Sequence, residues 1–157
     1  MANPIPADRA GVIPHLVCDR CADALEFYKS AFGAEELCRM PIPGADRILH
    51  AEIRIGDAVV MLADDLSEAC EGAARSPKSL GGSSVGLHRY VEDCDAAVDR
   101  AVKAGASVLM PPQDMFWGDR YAVVNDPFGH QWSLATHVKD LTPEEMMAAA
   151  SQCFPST

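Results

Sequence analysis

Two histidines, His15 and His88, lie 73 residues apart, each inside a short apolar run. A neutral imidazole in such a place can bind a metal, hydrogen-bond an anion or shuttle a proton. The alternative is a pair of core histidines bonded to backbone. In His50-Ala51-Glu52, strand alternation puts an imidazole and a carboxylate on one side. With His15 and His88, Glu52 makes a His-and-carboxylate set suited to a divalent metal; solvated or structural roles are the rival reading. Phe116, Trp117 and Tyr121 flank Gly118, a composition that stacks on a flat ligand, closes a lid or packs a core. Tyr90 and Tyr121 offer hydroxyls, and Asn125, Gln131 and Ser133 offer neutral hydrogen bonds.

Other chemically suggestive residues read as structural. Cys18-x-x-Cys21 has no second pair or histidines at zinc spacing, so ordinary packing is expected. Arg47 and Arg120 suit surface ion pairs or an anionic ligand. Arg89 shares a strand side with Leu87 and Val91, so it must snorkel, pair with an acid or meet another subunit. Trp132, opposite in direction to Ser133, is expected in the core. Asp64-Asp65 reads as a solvated turn. Leu80-Gly81-Gly82-Ser83-Ser84 precedes a strand and suits a hinge or lid. There is no P-loop, dinucleotide-binding glycine fingerprint or nucleophile elbow.

The spacing of the histidines extends to the elements that must position them. Shifted by 73 residues, Cys21 falls on Cys94, Ala24-Leu25-Glu26 on Ala97-Val98-Asp99, Arg47 on Arg120 and Gly56 on Gly129. Gly33-Ala34 meets Gly105-Ala106 after a one-residue slip. In the first copy a strand over 12–18 precedes a helix whose Leu25, Tyr28 and Phe32 share a face, and Gly33 stops it. Strands follow over 37–40, 47–55 and 58–63, the last two joined by Gly56-Asp57. The second copy has a strand over 85–91 and a helix with Ala97, Val98, Ala101 and Val102 on one face. Strands over 107–110, 120–125 and 130–137 follow, with Pro111-Pro112 irregular and Asp126-Pro127-Phe128-Gly129 as the last turn. The fold class is therefore α+β: two βαβββ modules with a short C-terminal helix. The boundaries are a tail over 1–11, the first module over 12–64, a linker or flap over 65–84, the second module over 85–138, and a helix and tail over 139–157. The helix starts at Thr142, where Thr-Pro-Glu-Glu supplies a cap, and the chain after Ala150 is expected to be loose.

Composition narrows the function classes. The chain has 157 residues, 48% hydrophobic and 23% charged, as in globular domains, and a net charge of -10 that opposes nucleic acid and anionic lipid as partners. No apolar run reaches the ~20 residues of a membrane span, and the start lacks the pattern of a signal peptide. A cytoplasmic protein with its six cysteines reduced is expected.

Several motifs occur in a telling order: Leu25-Glu26-Phe27-Tyr28 with Phe32-Gly33, Tyr90-Val91-Glu92-Asp93, and Asp126-Pro127-Phe128-Gly129-His130. On these the chain resembles the vicinal oxygen chelate superfamily, which includes glyoxalases, bleomycin-resistance proteins and dioxygenases. Stretch 47–62, Ser79-Leu80-Gly81-Gly82 and the tail from Asp140 to Met146 are similar to its PhnB-like branch. The resemblance implies that the two modules are half-barrels forming a curved mixed sheet around a cleft, and it implies a homodimer and, in metal-dependent members, a divalent ion acting as a Lewis acid. The positions that it assigns to metal ligands hold Ile13, Val60, Gly86 and Ser133, none of which is a carboxylate or imidazole.

Three functions remain open at this level. One is a PhnB-like protein binding a small molecule in the inter-module cleft through His15, His88, Tyr90, Trp117, Tyr121, Asn125, Gln131 and Ser133. Another is a metal-dependent lyase, isomerase or dioxygenase with a shifted ligand set of His15, His88 and Glu52. The third is a non-catalytic dimeric interaction protein. Whether the chain is an enzyme stays undecided.

Overall fold

Each copy folds as its alternation and helical spacing require. The first runs β1 (His15–Cys18), α1 (Cys21–Phe32), β2 (Glu35–Pro41), β3 (Ile48–Ile55) and β4 (Ala58–Asp64), with a short α2 (Pro77–Leu80) in the connection. The second runs β5 (Gly86–Tyr90), α3 (Cys94–Ala104), β6 (Ser107–Asp114), β7 (Asp119–Asn125) and β8 (Gln131–His137), followed by α4 (Pro143–Cys153). This computed structural model describes residues 4–6, 9 and 11–153. The strands form two four-stranded sheets, ordered β1-β4-β3-β2 and β5-β8-β7-β6. In each, the first strand is parallel to the last while the other pairings are antiparallel, giving the two βαβββ modules expected. The chain divides into two compact units at Ser83/Ser84, and the turn Pro127–His130 goes with the first.

The cores follow from side-chain direction. Leu25 and Tyr28 of α1 and Ala51, Ile53 and Leu62 of the first sheet are all 0% exposed. Burying a large apolar side chain of this kind contributes about 1.5–3 kcal/mol. The α1 helix ends at Gly33, whose left-handed backbone (φ 66°) lets its N–H reach the Lys29 carbonyl. Phe128 joins this unit edge-on to Phe27, with ring centroids 6.1 Å apart. In the second unit α3 is capped by the Asp93 side chain, which accepts from the Ala96 N–H at 3.0 Å. Its Cys94, Ala97, Val98 and Ala101 are buried, as are Ala122, Val124 and Leu134 of the sheet. Trp132 is core, as its strand direction requires, and its Nε1–H donates to Asp126 at 3.1 Å.

Several expectations need correction. Strand β1 starts at His15 rather than Val12, and β2 is longer than 37–40 at both ends. Strand β6 continues through Pro111-Pro112 to Asp114, but its register shifts between Met110 and Gln113, where proline supplies no N–H for the ladder. The Asp64-Asp65 pair is not a solvated turn. Asp64 is buried and accepts from the Cys21 N–H at 2.8 Å and the Ile48 N–H at 2.6 Å. Asp65 accepts from the Ser67 and Ser76 N–H groups and the Ser79 hydroxyl, tying α2 and much of the 65–84 connection in place. These bonds hold the Asp65 carboxyl far below the usual carboxylate range, the Ser67 interaction first. Cys18 and Cys21 are packed thiols, and burial, followed by the nearby Asp64 carboxylate, pushes Cys21 up to about 12.

At the C-terminal helix, Glu145 N–H donates to the Thr142 hydroxyl and Thr142 N–H to the Glu145 carboxylate, the reciprocal cap anticipated there. The helix continues to Cys153, beyond the Ala150 limit; the rest of the tail expected to be loose lies outside the described residues.

Candidate functional site

Strand alternation gives each sheet one face against its helix and one face that carries the chemistry. In the second module the latter face is set by register: His88 pairs with Ser133 and Ser133 with Val123, while Tyr90 pairs with Ala135 and Ala135 with Tyr121. Gln131 and Asn125 form the next cross-strand pair on the same face. Six residues singled out from sequence, His88, Tyr90, Tyr121, Asn125, Gln131 and Ser133, therefore share one surface. His88 Nδ1 and the Ser133 hydroxyl are 2.7 Å apart. The His88 ring stacks on Tyr121 at 6.1 Å and 18°, and meets Tyr90 edge-on at 4.8 Å.

Trp117 comes from the turn between β6 and β7 and stands edge-on to Tyr121 at 5.5 Å. Its position depends on Gly118, where φ is 95° and a Cβ would sit 2.2 Å from the Lys139 carbonyl oxygen. The Gly118 carbonyl in turn accepts from the Val138 and Lys139 N–H groups. Only a residue without a side chain allows that approach.

The sequence reading missed Asp119, which organises the aromatic cluster. It is 4% exposed. Trp117 Nε1–H donates to its carboxylate at 3.0 Å, the Tyr90 hydroxyl at 3.1 Å and His137 Nδ1 lies 2.8 Å away, while His137 Nε2 reaches Asp140 at 2.9 Å. Burial pushes the Asp119 carboxyl up, but the bonds from His137, Tyr90 and Trp117 outweigh it and leave the carboxyl below its ordinary range. The same network raises Tyr90 through its bond to Asp119, and raises His137 through Asp140 and then Asp119. A lone Asp in a polar turn gives no periodic signal; the sequence sign, legible only afterwards, is an acid two residues from Trp117 at the start of a strand.

In the first module the corresponding face carries a different set. Across the sheet His15 pairs with Met61, Met61 with Glu52 and Glu52 with Cys38. His50 lies two residues from Glu52 on the same side, with Nε2 3.4 Å from Oε1. The imidazoles of His15 and His50 are edge-on with centroids 6.1 Å apart; desolvation, then the neighbouring His50, lowers the His15 pKa. Arg9 pairs with Glu52 and is the main cause of its lowered pKa. Among the described residues, the group of metal-ligating side chains that gathers is Cys38, His50 and Glu52. Cys38 and Arg9 were not singled out from sequence.

The register also corrects one repeat assignment. Met61, rather than Val60, lies opposite His15 as Ser133 lies opposite His88. The second copy is one residue shorter between these positions, so Val60 turns into the core. The family's metal positions are then Ile13, Met61, Gly86 and Ser133. Two of these residues have no ligating side chain, Met61 offers only a thioether, and Ser133 is a neutral hydroxyl engaged by His88. The set does not fit a carboxylate-and-imidazole-bound divalent ion.

Arg120 forms a surface ion pair with Asp95 and Asp114. Arg89 is half-buried on the helix side, in a groove that also has Arg100, Thr136 and His137 in its lining; desolvation, then Arg100, lowers its pKa.

The family model for the glyoxalase/bleomycin resistance protein/dioxygenase superfamily matches residues 12–134. The Mycobacterium tuberculosis protein Rv0887c is 48% identical over 138 residues, 88% of this chain and 81% of that protein. The crystal structure of the Arabidopsis thaliana At5g48480 product is similar with a TM-score of 0.65 and 29% identity, over 80% of this chain and 98% of that one. The PhnB protein of Bacillus cereus shares the fold, with a TM-score of 0.61 and 18% identity over 80% of this chain and 98% of that one. The repeat, the two βαβββ modules and these similarities agree: the chain belongs to the glyoxalase/bleomycin resistance protein/dioxygenase superfamily.

Proposed function

We propose that this protein is a PhnB-like small-molecule-binding protein that takes a flat, largely uncharged ligand on the strand face of its second module. The observation that carries this reading is the convergence of His88, Tyr90, Tyr121 and Trp117, with Tyr90 and Trp117 anchored on buried Asp119. Rings fixed by hydrogen bonds lose little freedom on contact with a ligand, so stacking energy is not offset by ordering. Ser133, Asn125 and Gln131 supply neutral donors and acceptors around that surface, while Val123 and Met110 add apolar area. The reading needs no metal, consistent with side chains at the family's ligand positions that do not fit one.

A thermal-shift screen with planar heteroaromatic compounds tests it, because a ligand at about 100 times its Kd adds about 2.7 kcal/mol to stability. A hit should bind about tenfold more weakly to Tyr121→Ala, since an aromatic contact contributes about 0.5–1.5 kcal/mol beyond its buried area. No stabilisation across a broad screen, or undiminished binding to Tyr121→Ala, would overturn the proposal.

A further inference from the structure

The first module's sheet face supports a separate inference that does not rest on the ligand reading. We propose that Cys38, His50 and Glu52 form a binding site for a borderline-soft divalent cation of the zinc or cobalt type. Their sulfur, nitrogen and oxygen ligand atoms all lie within 4.8 Å of one another. A tetrahedral site with metal–ligand distances of about 2.0–2.3 Å needs its ligands roughly 3.5 Å apart, so modest side-chain rotation closes the set. A mixed thiolate, imidazole and carboxylate donor set selects this class of ion over magnesium or calcium, which take oxygen.

Two features of the surroundings point the same way. Cys38 is on β2 at the edge of the sheet, and the β2–β3 register shifts between Glu36 and Cys38. Such an irregularity re-aims a side chain, here one directly across from Glu52. Cys38 is exposed and His50 and Glu52 are half-buried, so the three can exchange an ion with solvent. The Glu52 carboxylate is already held by a cation, the Arg9 guanidinium. Arg9 thus marks a place where positive charge is favoured; it holds Oε2, while Oε1 lies toward His50. Cys38 thiolate and Glu52 carboxylate together neutralise a dication, and three protein ligands leave a fourth position open.

Cobalt(II) titrated into the full chain provides the test, since thiolate ligation gives a charge-transfer absorption that nitrogen and oxygen ligands do not. One cobalt per chain with that absorption is expected. Cys38→Ser should abolish the band, and Glu52→Gln should weaken binding by about 100-fold or more, exceeding the effect of losing a group that only orients a ligand. The proposal is overturned if no such absorption develops, if it persists in Cys38→Ser, or if it disappears instead in a Cys70→Ser/Cys153→Ser double variant. Circular dichroism on each variant separates lost binding from lost fold.

Discussion

Asp64 in the first module and Asp119 in the second are both buried, yet one serves backbone and the other serves side chains. Asp64 accepts from the N–H groups of Cys21 and Ile48, joining the start of α1 to the start of β3. Asp119 accepts from Trp117 and Tyr90 and meets His137, all side chains of its own module. The faces differ accordingly. The first offers ligating atoms in Cys38, His50 and Glu52; the second offers rings and hydroxyls in His88, Tyr90, Tyr121 and Ser133. A duplicated fold keeps the positions that its core needs and leaves the opposite face free to diverge, because alternation separates the two.

The largest effect that would sharpen this contrast is expected from Gly118→Ala. The added methyl meets backbone at 2.2 Å and the residue must keep φ at 95°. Strain and overpacking together should cost about 3 kcal/mol or more, measured by urea unfolding, and Trp117 fluorescence should change with the turn. An equal loss with unchanged ligand binding would break the link between that turn and the site.

The two aspartates can be set against each other next. Asp64→Ala removes the acceptor for two buried N–H groups and should cost about 2–4 kcal/mol, while leaving the second module's ligand affinity intact. Asp119→Asn keeps the shape but loses the charge of the acceptor, so a smaller cost of about 1.5–3 kcal/mol is expected, together with weaker ligand binding. Chemical denaturation and a binding titration on both variants measure the contrast. If Asp119→Asn destabilised without touching affinity, its role would be the same as that of Asp64.

The smallest expected effect is on pH dependence. His137 has its pKa raised from 6.5 by Asp140 and Asp119, so its contribution is complete below pH 6.5 and declines as pH rises through the folded value. Asp119 has its pKa lowered from 3.8, so its contribution is complete above pH 3.8 and disappears as pH falls through the folded value. Melting temperature should therefore fall slightly on the alkaline side of pH 6.5, and His137→Gln should abolish that slope. A slope that survives the substitution would assign it to another group.

Much of the fold was legible in the sequence. The 73-residue offset and the switch from strand to helix spacing specify two βαβββ modules, and the same alternation places His88, Tyr90, Tyr121, Asn125, Gln131 and Ser133 on one face. Trp132 in the core and the Thr142 cap follow from equally local rules. These features depend on side-chain direction and on contacts a few residues apart, which chain order alone determines.

Tertiary structure decided which distant residues meet. Cys38 reaches Glu52 only through the β2–β3 register and its irregularity, and Met61 rather than Val60 faces His15 because one copy is a residue shorter. Asp64 and Asp119 look like ordinary polar turn residues until the chain brings N–H and O–H groups to them. Register and burial depend on the sum of many packing contacts, whereas periodicity is fixed by the geometry of a single strand or helix.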